Sequence, residues 1–261
     1  MTIIKHELKT GKTFFLIWTI TIGALLAMCI FLFPEMETQM NDIGDMFSSM
    51  GNFSTAFGMD KLNFGSFIGF YGIECGNILG LGGGFFAAIC AIGALCKEER
   101  DKTAEFLLTH PVSRTRIITE KLISVIIQIT AMNVIIFAIA VVSAVAIGEE
   151  PPMKELVLLH TAYLAMQLEF GGICFGISAF LSRGGMGIGL GLASVMYFLN
   201  IIANITEKAE FLKYITPYGY AEASDIISEL EIAPAPLAVG IVLSIAGVLA
   251  AYFKYSSKDI T

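Results

Sequence analysis

Charge is what this sequence has least of. Of 261 residues only 15 % are Asp, Glu, Lys or Arg, while 56 % are hydrophobic and the mean hydropathy is +0.75. A soluble domain keeps roughly a quarter of its residues charged to wet its surface, so this composition excludes one. Histidine is also scarce. His6, His110 and His160 are scattered, with no HExxH and no carboxylate at metal-ligand spacing, so no metal site is predicted. The five cysteines, Cys29, Cys75, Cys90, Cys96 and Cys174, show no CxxC spacing and read as small buried hydrophobes. No G-x-S-x-G nucleophile motif is present. Lys9-Thr10-Gly11-Lys12-Thr13 resembles the end of a phosphate-binding loop, but His6 stands where the leading glycine belongs and no strand precedes it. The chain is therefore expected to bind no ATP, to hold no cofactor, to catalyse no reaction and to bind no nucleic acid.

What is present is apolar sequence in span-length runs. Six lie at about 14–33, 67–96, 117–147, 155–181, 186–204 and 235–254. The first follows Lys5, Lys9 and Lys12 like a secretory signal, but it is span-length and lacks a small-residue cleavage site, so it is predicted to stay as a transmembrane helix. The reading is an all-α integral membrane protein, residues 1–261 forming one six-helix transmembrane domain. An even number of spans puts both termini on one side, where 12 of the 16 basic residues fall against 4 opposite, so both termini are expected in the cytoplasm. Of the 23 acidic residues, 14 fall in the outer loops.

Two outer segments are too long for turns. In 34–66, Met36, Met40, Ile43, Phe47 and Met50 recur at helical spacing, which predicts an amphipathic helix lying on the outer surface or capping the bundle. In 205–232, Pro217, Tyr218 and Tyr220 sit between acidic clusters, as in an interfacial or re-entrant piece. Gly72, Gly76, Gly80 and Gly84, then Gly172 with Gly176, Gly185 with Gly189 and Gly187 with Gly191, form small-xxx-small pairs that predict close backbone approach, within the chain or across a dimer. Glu74 and Glu169 are the carboxylates at membrane depth, with Asn77, Gln128, Asn133 and Asn200 as further polar groups. Two readings stay open for them: a polar translocation path, assigned to Glu74, Asn77, Asn133 and Glu169, or interhelical hydrogen-bonding glue. A proton-coupled secondary transporter using Glu74 and Glu169 is the alternative function.

The inner loop from Lys97 reads KEERDKTAEFLLTHPVSRTRIITEK. Leu107, Leu108 and Pro111 break its polar run, so part of it should bury against something, and Ser113 is placed to cap the helix that continues into the third span. Glu98, Glu99, Thr103, Glu105, Phe106, Leu107, Leu108, Pro111, Val112, Ser113, Arg114 and Lys121 together resemble the E-E-x-x-x-T-x-E-x-L-L-x-x-P-V-S-R-x-x-x-x-x-x-K signature of permease subunits of type-2 ATP-binding-cassette exporters. Lys102 stands where that signature commonly has glycine, and Ala104 where it commonly has leucine. The likeness extends from Ala56-Phe57-Gly58 through Pro217-Tyr218 to Phe253, Lys258 and Asp259.

The resemblance implies a permease driven by a separate cytoplasmic ATP-binding-cassette ATPase, which would carry ATP and magnesium. It also implies a second permease subunit, the same chain or a related one, and a bacterial cytoplasmic membrane whose lipid the protein contacts. The 97–116 loop would be the coupling element, with Glu98, Thr103, Glu105, Leu107, Leu108, Pro111, Ser113 and Arg114 at the ATPase. Residues 1–13 would be an interfacial segment. The cargo is expected to be amphipathic or hydrophobic, a drug, lipid or peptide, moved outward, because few fixed charges line the apolar bundle.

Overall fold

The computed structural model describes residues 2–48, 51–59, 61–103, 112–182 and 184–257. Among them there is no strand, and six helices are long and apolar enough to cross a membrane. These are α1 (Thr2–Ser48), α2 (Phe67–Ile92), α3 (Arg114–Ala146), α4 (Met153–Ser178), α5 (Met186–Ile205) and α6 (Pro234–Ser257). The last five match their apolar runs to within a few residues, and α1 contains the first run but extends well beyond it at both ends. Their outward faces stay apolar, with Ile20, Val134, Phe198 and Val242 each more than half exposed. A helix apolar on both its packed and its open face needs lipid, not water, as its solvent.

α4 is the central helix, packed along α2 on one side and α6 on the other; α1 runs along α3, and α5 lies against α2. The core holds Leu26 and Ile30 of α1, Phe70 and Phe86 of α2, and Phe170 and Phe175 of α4, all nearly inaccessible. Ser66 starts α2 as an N-cap, its hydroxyl accepting from the Gly69 N–H at 3.2 Å. Ser113 starts α3 in the same way, accepting from Arg116 N–H at 3.3 Å. Gly148 ends α3 at φ +89°, a conformation glycine takes without strain, and the Glu149 N–H closes the turn on the Ala144 carbonyl.

The first helix departs from the sequence expectation. Residues 2–13 and 34–48 are not separate surface pieces but continuations of one 47-residue helix that passes through Pro34. At 1.5 Å per residue it is roughly 70 Å long, more than twice a hydrocarbon core, so both ends project beyond it. The physical reason is phase: the apolar spacing of 36–50 is helical throughout, and one proline costs a single backbone bond without forcing a stop. Met36 packs on the core; the side chains of Met40, Ile43, Phe47 and Met50 lie outside what is described.

The glycines divide into two kinds. Gly172 and Gly176 of α4 meet Gly247 of α6 backbone to backbone: a Cβ on Gly176 would stand 2.5 Å from the Gly247 carbonyl oxygen. That crossing is within the chain, as van der Waals packing in lipid requires. The α2 run does something else. A Cβ at Gly76 would meet the Tyr163 hydroxyl at 2.5 Å, and one at Gly84 the Tyr218 hydroxyl at 2.7 Å, so these glycines seat aromatic side chains instead of a neighbouring backbone. Gly185 and Gly189 pack against Ile92 and Ala88 of α2, whereas a Cβ on Gly187 or Gly191 would meet no atom of the described residues within 4 Å.

Candidate functional site

Two polar regions stand at opposite ends of the bundle. At the end holding both chain termini, Lys121 in the second turn of α3 is 1 % exposed, yet all three of its ammonium donors are used. They reach the Ala94 carbonyl at 2.6 Å, Glu98 Oε1 at 2.5 Å and Glu7 Oε1 at 3.2 Å. The other oxygen of Glu7 accepts from Lys97 at 2.5 Å. Two cations and two carboxylates make a neutral cluster, the composition under which buried charge is tolerated. It ties α1, the end of α2 and the start of α3 to the first turn of the loop. Nearby, Glu120 Oε2 accepts from the Ile3 and Ile4 N–H groups at the start of α1 and Oε1 from Arg116 at 2.8 Å.

The loop opens as a short helix, Lys97–Arg100, closed by two reversed bonds: Lys102 N–H to the Glu99 carbonyl and Thr103 N–H to the Glu98 carbonyl. That pattern needs a left-handed residue at its hinge, and Lys102 takes φ +56° there. Glycine at this position in the family signature is thereby explained, and lysine supplies the same turn with some strain. Asp101 is held below the usual carboxylate range, first by its hydrogen bond from Arg100, at 2.9 Å.

Of the residues assigned to coupling, Glu98 is in the ion cluster, Thr103 is exposed at the end of the turn, Ser113 caps α3, and Arg114 donates to the Tyr255 and Ser256 carbonyls at 3.2 Å, satisfying the last turn of α6. Glu105, Leu107, Leu108 and Pro111 lie outside the described residues. The contribution of Lys121, Lys97 and Glu7 was missed as a site; a basic residue ending the loop signature was its one signal.

The residues assigned to a translocation path do not converge. Asn133 donates to Gln167 Oε1 at 2.7 Å, and Gln167 in turn donates to the Leu79 carbonyl, so this pair joins α3, α4 and α2 as interhelical glue. Glu169 accepts from Tyr220 at 2.9 Å and lies against Gly240 of α6, where a Cβ would collide with its carboxylate. Glu74 sits in a π-helical turn, Tyr71–Cys75, that carries one extra residue into α2; it is half-buried. Asn77 lines a cleft, its Oδ1 accepting from Tyr197 at 3.0 Å.

That cleft, about 40 Å³, is at the end of the bundle away from the termini, between α2, α4, α5 and the turn after Tyr220. Its acidic group is Glu222, which sequence reading passed over because nothing local marks it apart from the other outer carboxylates. Glu222 Oε2 accepts from Asn200 at 2.9 Å and Asn204 at 3.0 Å. Burial pushes its carboxyl above the usual range, the two amide donors only partly opposing this. Asp225, one turn on, goes the other way: burial raises it, but the bond from Lys61 at 2.6 Å and the charges of Lys213 and Lys61 outweigh that. Behind Glu222, Pro217–Tyr220 dips into the bundle, carrying Tyr218 against Phe170 and Tyr220 to Glu169.

Six apolar helices that leave lipid-facing surfaces uncovered define a multi-pass membrane protein. Its family is now plain: the model described as ABC-2 family transporter protein matches residues 1–260, and the chain belongs to that family, as a permease subunit of a type-2 ATP-binding-cassette transporter. The family is generally a non-catalytic membrane subunit that pairs with an ATP-binding-cassette ATPase subunit. No curated protein matches the chain.

Proposed function

We propose that this chain is the permease of an exporter that moves an amphipathic or hydrophobic substrate outward, using ATP hydrolysed with magnesium on a separate cytoplasmic ATPase. Both termini and the 97–116 loop then face the cytoplasm of a bacterial cell, and two permease subunits pair in the membrane. The observation that supports coupling through the loop is the buried Lys121 cluster. A rigid-body motion passes only through contacts that persist, and here one ammonium group holds the loop's first turn to α1, α2 and α3 at once. A push on the loop is thus delivered to three helices without slack.

Co-expression with the ATPase and transport into inverted vesicles tests this. Glu105→Arg and Leu108→Asp, placed on the docking stretch of the loop, should leave the protein folded and ATP hydrolysed while abolishing transport. Transport retained in both variants would return the loop to an ordinary connection between spans.

A further inference from the structure

The carboxylate at the far end of the bundle is arranged unlike its neighbours. Asp225 takes both nearby lysines, Lys61 at 2.6 Å and Lys213 at 3.4 Å. Glu222, three residues earlier, is left with neutral amide donors and feels Lys213 only at longer range. It lines the 40 Å³ cleft together with the rings of Tyr163, Tyr197 and Tyr218, the last two packed edge-on with centroids 5.4 Å apart. Two further cleft residues are each 5 % exposed and carry an unpartnered polar atom: the amide oxygen of Asn200 and the hydroxyl of Tyr218. Asn200 commits its nitrogen to Glu222, so its oxygen is fixed as an acceptor with no donor among the described residues. Leaving such a group unsatisfied costs on the order of 1–3 kcal/mol, which a bound donor would recover.

A carboxylate, an orphan amide acceptor and several tyrosine rings are the groups that recognise an ammonium ion. The carboxylate supplies charge, the amide oxygen accepts an N–H bond, and aromatic faces attract the cation. The volume suits about three water-sized positions, enough for an amine headgroup and too small for a whole amphiphile. We propose that this cleft binds the primary ammonium group of a small amine or of an amine-bearing lipid or peptide, with Glu222 as its counter-ion. Binding stands on this geometry alone; its meaning as recognition of cargo rests on the permease reading.

The probe is methylammonium chloride, titrated calorimetrically into the full-length chain in nanodiscs without any ATPase, against sodium chloride at equal ionic strength. Saturable binding of methylammonium over sodium is expected, weakened at least tenfold by Glu222→Gln and unchanged by Glu150→Gln on an exposed loop. Should Glu222→Gln fail to fold, Asn200→Ser removes the orphan oxygen while Asn204 stays on the carboxylate, and at least a threefold loss is expected. Methylammonium indistinguishable from sodium, or binding indifferent to these cleft variants, overturns the proposal. Because the assay holds no ATPase, its failure leaves the coupling account standing, and failed coupling would leave this site standing. Phosphatidylethanolamine nanodiscs competing with methylammonium, where phosphatidylglycerol nanodiscs do not, would assign the amine to a lipid; equal affinity in both assigns it to a soluble source.

Discussion

Replacing Lys121 by methionine tests the ion cluster most sharply, because the two side chains are similar in length and the change removes little more than charge and three hydrogen bonds. Glu7 would keep Lys97, but Glu98 would lose its one ion-pair partner among the described residues while remaining 12 % exposed. Breaking a buried pair by removing one partner costs about 3–5 kcal/mol, since the surviving charge must be desolvated unpaired. For a chain of this size that corresponds to a melting temperature lower by on the order of 10 °C. Thermal unfolding in detergent followed by Trp18 reads it directly, because this single tryptophan lies 6.4 Å from the Phe86 ring and reports separation of α1 from α2. Pairing the change with Glu98→Gln should recover part of the loss, since the stranded charge goes with it, and the shortfall from additivity measures the coupling. A Lys121→Met variant within about 0.5 kcal/mol of the parent, the scale of an ordinary surface change, would refute the cluster as a tie between helices.

Three further expectations follow from the same geometry. Lys102→Gly relieves a left-handed lysine and should stabilise the loop turn by about 1 kcal/mol, seen as slower hydrogen exchange at Thr103; faster exchange would show that the turn does not need that conformation. Gly176→Ala places a methyl against the Gly247 carbonyl and should destabilise the α4–α6 crossing by about 1–3 kcal/mol in thermal unfolding, whereas the same change at Gly187, where a Cβ would meet no atom of the described residues within 4 Å, should be silent. The outer carboxylates should give opposing pH dependences. Glu222, raised in the fold, contributes stability that is present below its unfolded value and lost as pH rises through its folded one; Asp225, lowered in the fold, contributes stability present above its unfolded value and lost as pH falls. Unfolding followed from acid to neutral pH should therefore lose its high-pH decline in Glu222→Gln and its acid decline in Asp225→Asn, and identical profiles would contradict both assignments.

The spans were legible because length and apolarity are local, and so was the Ser113 cap, whose acceptor lies three residues from its donor. What could not be read depends on pairings between distant segments. Asn77 and Tyr197 are 120 residues apart, and Glu7 meets Lys121 only after α1 is laid along α3. Membrane-depth polarity pointed at Glu74 and Glu169, yet burial and isolation of a charge are properties of the packed bundle, and they single out Glu222 instead. The glycine run of α2 was read as close backbone approach; sequence could not say that tyrosines of α4 and of the 217–220 turn, not a neighbouring backbone, would fill the space it leaves. Lysine itself gives no signal for the left-handed turn at Lys102; the glycine that the signature commonly has there was its one hint.

The central claim is that this permease subunit works through an ATPase seated on its 97–116 loop, and the mass of the complex purified through this chain from cells that also express an ATP-binding-cassette ATPase tests it most directly. The account predicts two permease subunits with two ATPase subunits. A stable monomer that carries no ATPase would contradict it.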